Sequence, residues 1–500
     1  MALLLAAAGS LLTFTNLGGK VYWHDETYSS LRVFGHTGAE YYDSMFDGAI
    51  HTPAELQRLQ HIDESLGLEA TFRALASRPE HPPLYYLLAR LWSVLFTDPV
   101  IALRSLAAVF ALLMLPAAYA FSRELFVDPR VAWVAVALLA VSPLHLLYAQ
   151  EARQYSLWCL AILLSGTALL RALRSGRRLD LLLYACAIAL GLYAHILFAV
   201  AVFAHAAYLA LQRRAYARQA LQGCALALAG GVLAFLPWAL LFLTALPDVA
   251  RVIGWMERPL AISALMLSWA TSINRVFFDF PGSIVLAPVS LGLVTAALVL
   301  LVRRTPPQHW LLPALLLAVT AGVVIVPDLL DEGRRSLHTR YLLPALLMLQ
   351  LGVAWLIGCN LVLRTRRGML AAAAALLLVG GGLASQLAIV ASNQWWNKGF
   401  SAGNADIAAR INAAERPLLI STMGEVNPGE LLSLSYYLKD QARLLLLHDY
   451  KLPELPAGFD RYFVLRAIWD TAQAQQRGYR LERLTRDRVL WELHHDESHR

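Results

Sequence analysis

Long apolar segments recur along this chain from its N-terminus to about Val390. Several reach the roughly 20 residues that a helix needs to cross a hydrocarbon core about 30 Å thick. Lipid leaves helices that satisfy their own backbone as the workable solution, so the repetition restricts the chain to a polytopic helical membrane architecture. Composition agrees: 58% of the 500 residues are hydrophobic and only 15% are charged, a balance that a water-exposed surface could hardly carry. Residues 393–500 break the pattern and read as a soluble domain. Residues 1–18 lack a basic n-region and a small-residue cleavage site, and are read as a short first transmembrane helix rather than a signal peptide.

The formal net charge of +7 does not point to nucleic acid, because arginines fall in short connectors between apolar runs and act there as topology signals. Five such connectors are "SRELFVDPR" (122–130), "RALRSGRR" (171–178), "QRRAYARQ" (212–219), "VRRTPP" (302–307) and "LRTRRG" (363–368). Placing all five in the cytoplasm requires an even number of crossings between consecutive members. The apolar pairs 131–149 with 155–172, 179–195 with 196–211, 220–245 with 283–301, and 309–327 with 339–362 supply it, and 369–391 leads outward. The run "PPLYYLLARLWSVLF" (82–96) is short and carries Arg90 in its middle, a charge that costs about 2.5 to 3.5 kcal/mol at the bilayer centre. With the first helix leaving the cytoplasm and 100–121 re-entering it, this run is read as an interfacial or re-entrant helix, which gives eleven crossings. A count of twelve would put the Asp25 loop and the C-terminus on opposite sides.

The outer face then collects "HDE" (24–26), "RPEHPP" (78–83), "QEARQY" (150–155), the His195 turn, the loop 246–282 and "DEGRRSLHTRY" (331–341). The expected organisation is a transmembrane domain over 1–392, with a first outer loop over 19–82, followed by a small outer α/β domain over 393–500. In that domain "AGNADIAARINAA" has helical periodicity, while "PLLIST", "ARLLLL", "RYFVLR" and "RVLWEL" suit short strands. The four cysteines, Cys159, Cys186, Cys224 and Cys359, lie in apolar segments without metal or disulfide spacing, and read as small packing residues.

Each outer motif has a plain reading and a chemical one. Asp25 and Glu26 open the first loop; adjacent carboxylates point different ways, so one of them aims at a given reacting atom and the other orients the loop or assists. A carboxylate under an apolar lid serves as a general base, against the plain reading of a solvated loop acid. In "RPEHPPLYY" the prolines start a helix and hold Glu80 and His81 at its mouth, for a divalent metal, a phosphate or simply a helix cap. Glu151 and Arg153 sit where one apolar helix emerges and the next begins, either paired with each other or serving a site. His195 falls in a turn with almost no loop. Arg340, followed by Tyr341, offers a bidentate fork for phosphate or an interfacial anchor. No Walker loop or dinucleotide motif appears, so no nucleotide cofactor is expected.

Taken together, "HDE" after a first helix, "EHPPLYYLLARLW", "ALRSLAAVF", "SPLHLLYAQEARQYSL" and "RYLLPAL" resemble the GT-C superfamily of polytopic glycosyltransferases, in the family-39-like branch of protein mannosyltransferases and the aminoarabinose transferase of lipid A. The similarity covers about residues 5–350. It implies a sugar donor on a polyprenyl phosphate, used at the extracytoplasmic face of a cell membrane with inversion, and a lipid, glycan or protein acceptor. By motif, Asp25, with Glu26 beside it, resembles the essential acid of the first loop, and Glu151 a second acidic position. Glu80 resembles an acid that holds a divalent metal in some relatives, and His195 joins it in that role. His81 (lysine in the aminoarabinose transferases), Arg153, Tyr155, Arg340 and Tyr341 fall to donor binding. The rival readings are a transporter or flippase, for which paired half-repeats and polar residues at the midplane of several helices would be expected, and a silent membrane scaffold, which would tolerate Asp25→Asn.

Overall fold

The computed structural model describes residues 1–362, 364–424, 426–449, 454–466, 471–487 and 489–495. Within them seven helices are long and apolar enough to cross a membrane: Pro99–Phe126, Tyr155–Ser175, Arg218–Thr244, Ser283–Arg304, Pro307–Asp331, Thr339–Asn360 and Arg366–Ala391. Pro129–Ala140 and Pro143–Ala149 pass the same test together and meet at 59°, as a broken span or a re-entrant loop does. Shorter helices cover Ala2–Phe14, Arg178–Ala194 and Phe198–Leu211. The helix Leu84–Ser93 has ten residues, about 15 Å at 1.5 Å per residue, too short to cross.

The chain divides into two compact units. The first comprises residues 1–17, 78–88 and 104–391. The bend between Pro129–Ala140 and Pro143–Ala149 has a sequence cause: Pro143 has no N–H to continue the ladder and its ring excludes the helical path behind it. The carbonyls freed at the break have no water to turn to in lipid. Gln386 supplies the donors, its Nε2 reaching Ala140 O at 2.9 Å and Ser142 O at 3.3 Å, while Ser142 Oγ donates to Val276 O at 2.7 Å. Gln386→Leu keeps the volume and removes the donor. It is expected to lower stability by about 1 to 3 kcal/mol, read as a lower midpoint of thermal unfolding in detergent relative to wild type.

Glycine sets two of the close crossings on the same span. A Cβ on Gly9 would lie 2.1 Å from Ala140 O, and one on Gly358 would lie 2.6 Å from Val131 Cα. Helices Ala2–Phe14 and Leu343–Asn360 therefore approach the backbone of Pro129–Ala140 at distances that no larger residue permits. The carbonyls at the end of Ala2–Phe14 are met by Gln150, whose Nε2 reaches Leu12 O, Thr13 O and Thr15 O at 2.9 to 3.3 Å. Arg104, fully buried, donates to Leu17 O at 2.6 Å.

The second unit comprises residues 18–77, 89–103 and 392–500. Its centre is a six-stranded sheet of β1 (Ile50–His51), β2 (Pro417–Thr422), β3 (Arg443–Leu447), β4 (Arg461–Leu465), β5 (Tyr479–Arg483) and β6 (Leu490–His495), in the order β1-β3-β2-β4-β6-β5. β2 runs parallel to both β3 and β4, and the other pairs are antiparallel. Every residue of β2 is buried, as a central parallel strand covered on both faces requires. Leu419, Leu444 and Phe463 face a core completed by Leu31, Tyr41, Met45, Phe46 and Leu56 from the N-terminal segment, while Leu418, Ile420 and Val464 face the other way. Arg90 belongs to this unit. It donates to the carbonyls of Asp63 and Leu66, so its charge serves to hold a loop.

The edge strand β1 is clamped by its own side chains: His51 Nδ1 meets Glu55 Oε2 and Nε2 meets Asp47 Oδ1, both at 2.9 Å. For both carboxylates burial works to raise the pKa, but the N–H of Ala49 on Asp47, that of Thr52 on Glu55, and His51 on both outweigh it and hold each below its ordinary value. Folded values below the unfolded ones mean a contribution that is present above about pH 4 and lost as pH falls through the folded values. Hydrogen exchange is expected to show β1 separating from β3 below that range, and His51→Gln to show the same opening at pH 6.

Candidate active site

The prolines of "RPEHPPLYY" begin helix Leu84–Ser93, and two hydrogen bonds fix the segment within the first unit. Trp238 Nε1 donates to Pro79 O at 2.9 Å, and Tyr86 OH donates to Gln154 Oε1 at 3.1 Å. The second bond joins it to "QEARQY", the sharp turn between Pro143–Ala149 and Tyr155–Ser175. In that turn Glu151 is fully buried and Arg153 is 6% exposed. Two ionisable groups so far from water are retained for partners or for a ligand. The Arg153 guanidinium lies 5.7 Å from the Tyr155 ring, which meets Tyr148 edge-on at 5.3 Å.

His195 closes the same cluster. Its ring stacks on Trp158 at 4.1 Å between centroids and 7° between planes, and lies 6.0 Å from Tyr155. Its Nδ1 accepts the Leu197 N–H at 3.1 Å, leaving Nε2 to carry the proton. Burial, and then the charge of Arg153, hold the His195 pKa well below the ordinary value, so the ring is a neutral donor. His81 packs against Tyr86 at 5.9 Å.

The loop 331–341 is built around Asp328, whose carboxylate accepts from the N–H of Arg335 at 2.8 Å, the N–H of Ser336 at 2.6 Å and the Ser336 hydroxyl at 2.7 Å. Further along the loop, the Arg340 guanidinium lies 5.1 Å from the ring of its neighbour Tyr341. Tyr148 lies within electrostatic reach of Glu151, Tyr155, Arg340 and Arg275. Arg275, with Asp279 Oδ1 at 3.7 Å from its Nε, is a cation that the motif reading passed over. Its signal was the Arg and Asp four residues apart in "RVFFD" (275–279). Glu151 and Asp279 bring carboxylates to these guanidiniums, and a phosphate is a further anion whose geometry an arginine fork fits.

Asp25 and Glu26 lie in the second unit, on helix His24–Val33. Glu26 is fully buried and its Oε2 accepts the Trp23 N–H at 3.2 Å, which closes the helix start on itself and gives this carboxylate an orienting task. Asp25 is half-buried one residue earlier. The chain around it is held by the C-terminal segment: Val21 N–H donates to Asn393 O at 3.2 Å, Trp395 Nε1 to Val21 O at 2.6 Å, and Lys398 Nζ lies 4.2 Å from the Trp23 ring. Glu80 Oε2 is buried without a hydrogen-bond partner among the described residues. Among the described residues no three His, Cys, Asp or Glu side chains form a set suited to a metal ion.

A bundle of membrane-length helices that gathers buried acid, arginine, histidine and tyrosine at one turn defines a multi-pass membrane protein with an embedded polar site. Its resemblance to the GT-C glycosyltransferases is carried by residues 80–241, which match the family described as dolichyl-phosphate-mannose-protein mannosyltransferase. No curated protein matches the sequence significantly. Similar solved structures include the oligosaccharyltransferase of Archaeoglobus fulgidus in its apo form, at 12% identity and a TM-score of 0.49 over 89% of this chain and 64% of that one. ArnT from Cupriavidus metallidurans bound to undecaprenyl phosphate matches at 15% identity and a TM-score of 0.42, over 98% of this chain and 97% of that one. The chain thus spans about 64% of the length of the archaeal enzyme.

Proposed function

We propose that the protein is a membrane glycosyltransferase that moves a sugar from a polyprenyl-phosphate donor to an acceptor hydroxyl, inverting the anomeric carbon. The observation that carries the reading is the mannosyltransferase match over residues 80–241, the stretch that holds Glu80, His81, Glu151, Arg153, Tyr155 and His195. In the reaction the acceptor oxygen bonds to the anomeric carbon as the bond from that carbon to the phosphate oxygen breaks. The acceptor proton passes to the Asp25 carboxylate and the electron pair leaves with the polyprenyl phosphate. Arg153, Arg340 and Arg275 stabilise the charge gathering on that phosphate, with Glu151 keeping the guanidiniums in place, Tyr155 and Tyr341 flanking them, His195 as a neutral donor and His81 as a further donor-binding residue.

The same reading gives eleven crossings: the seven long helices, the broken span and the helices Ala2–Phe14, Arg178–Ala194 and Phe198–Leu211. Its support is the set of arginine connectors, which turn the C-terminal domain and the site to the extracytoplasmic side of the cell membrane. Purified protein is to be incubated with a panel of polyprenyl-phosphate sugars. Transfer to an added acceptor, or slow hydrolysis releasing sugar and polyprenyl phosphate, is expected for at least one donor; a chain inert toward all of them overturns the reading. Cysteines introduced between residues 400 and 500 should react with an impermeant reagent added outside intact cells.

A further inference from the structure

The first turn of a helix leaves backbone N–H groups without intrahelical acceptors, and the residue in front of the helix normally offers one of them an oxygen. In front of His24–Val33 stands Trp23, whose indole has none. The acceptor comes from far along the chain: His24 N–H donates to Ser401 Oγ at 3.0 Å. Ser401 is itself gripped twice by one carboxylate, its hydroxyl donating to Glu430 Oε1 at 2.5 Å and its N–H to Oε2 at 3.0 Å. Glu430 is 1% exposed and faces Arg466 Nη2 at 3.7 Å and His24 Nδ1 at 3.9 Å. Gly429 leaves room for that imidazole, since a Cβ there would stand 2.2 Å from Nδ1.

The backbone pays attention to the same point. Ser401 has φ +62° and Arg466 has φ +49°, the left-handed region that side-chain-bearing residues rarely adopt and that persists where the surroundings impose it. A tie meant only to fasten two segments needs no such conformation. Two strained residues converging on one buried carboxylate indicate that the direction of the Ser401 hydroxyl matters.

We propose that Ser401 is a positioning residue. Aimed by Glu430 and Arg466, its hydroxyl caps helix His24–Val33 from outside the helix and fixes the direction of Asp25, the next residue after the capped N–H. The inference rests on the reading of Asp25 as the base, and it gives the C-terminal domain a task in the reaction. Ser401→Gly is the discriminating variant, because glycine suits φ +62° and preserves the fold while the hydroxyl is lost. Ser401→Ala and Glu430→Gln are its companions.

The full-length protein is to be followed by amide hydrogen exchange and by donor turnover with the polyprenyl-phosphate sugar panel. In Ser401→Gly, exchange over residues 24–27 is expected to rise at least tenfold with the β2 and β3 peptides unchanged. The kcat should fall tenfold or more at an unchanged KM for the donor. Unchanged exchange at 24–27, or faster exchange with unchanged kcat, overturns the proposal while the glycosyl-transfer reading stands. A wild-type protein inert toward every donor overturns that reading instead, and Asp25's assignment with it.

Discussion

Asp25→Asn is expected to lower transfer by 10² to 10⁴-fold, the range over which a positioned general base contributes, without loss of folded protein. The amide is nearly isosteric with the carboxylate and keeps an acceptor oxygen, but it takes no proton at neutral pH. An acceptor hydroxyl is a poor nucleophile until its proton is leaving, whereas the phosphate departs without help from a base, so the loss should fall on kcat with KM for the donor held. The control is Glu26→Gln. Its carboxylate accepts the Trp23 N–H, and the amide oxygen can do the same, so a loss below tenfold is expected there. Equal activity in Asp25→Asn removes the base assignment. Equal losses in both variants would mean that the helix start, rather than one carboxylate, is what the reaction needs.

Much of this was legible because membrane and strand impose simple periodicities. Seven apolar runs became membrane-length helices, and "PLLIST" became β2. The break at Pro143 was hidden inside a run read as a single span, 131–149, because hydropathy registers an apolar residue and not a missing N–H. β1 was invisible for a different reason: two residues, Ile50 and His51, carry no period, and their place is set by a partner strand almost four hundred positions away. Glu430, Ser401 and Arg466 likewise lie scattered among unremarkable neighbours, and only the fold brings them together. The motif residues fared better where they were adjacent in sequence. Glu151, Arg153 and Tyr155 share one turn, and His195 joins them through Trp158.

Arg340→Lys is expected to weaken turnover by about 10²-fold, roughly 2.7 kcal/mol at 1.36 kcal/mol per decade, with the loss shared between a higher KM for the donor and a lower kcat. Lysine keeps the charge, so a result near wild type would mean that Arg340 contributes a diffuse field and no directed contact. A guanidinium presents parallel N–H groups to two oxygens of a phosphate, while an ammonium acts as a point charge. The phosphate gains charge as the sugar leaves, so a forked contact strengthens toward the transition state and its removal must reach kcat. Arg275 supplies the internal comparison. It reaches the same Tyr148 neighbourhood as Arg340, but its Nε lies 3.7 Å from Asp279 Oδ1, so part of its charge is already answered. Because both cations address one anion, the double variant should lose less than the product of the single losses, whereas independent multiplication of the two effects would separate their targets and return Arg340 to the role of an interfacial anchor.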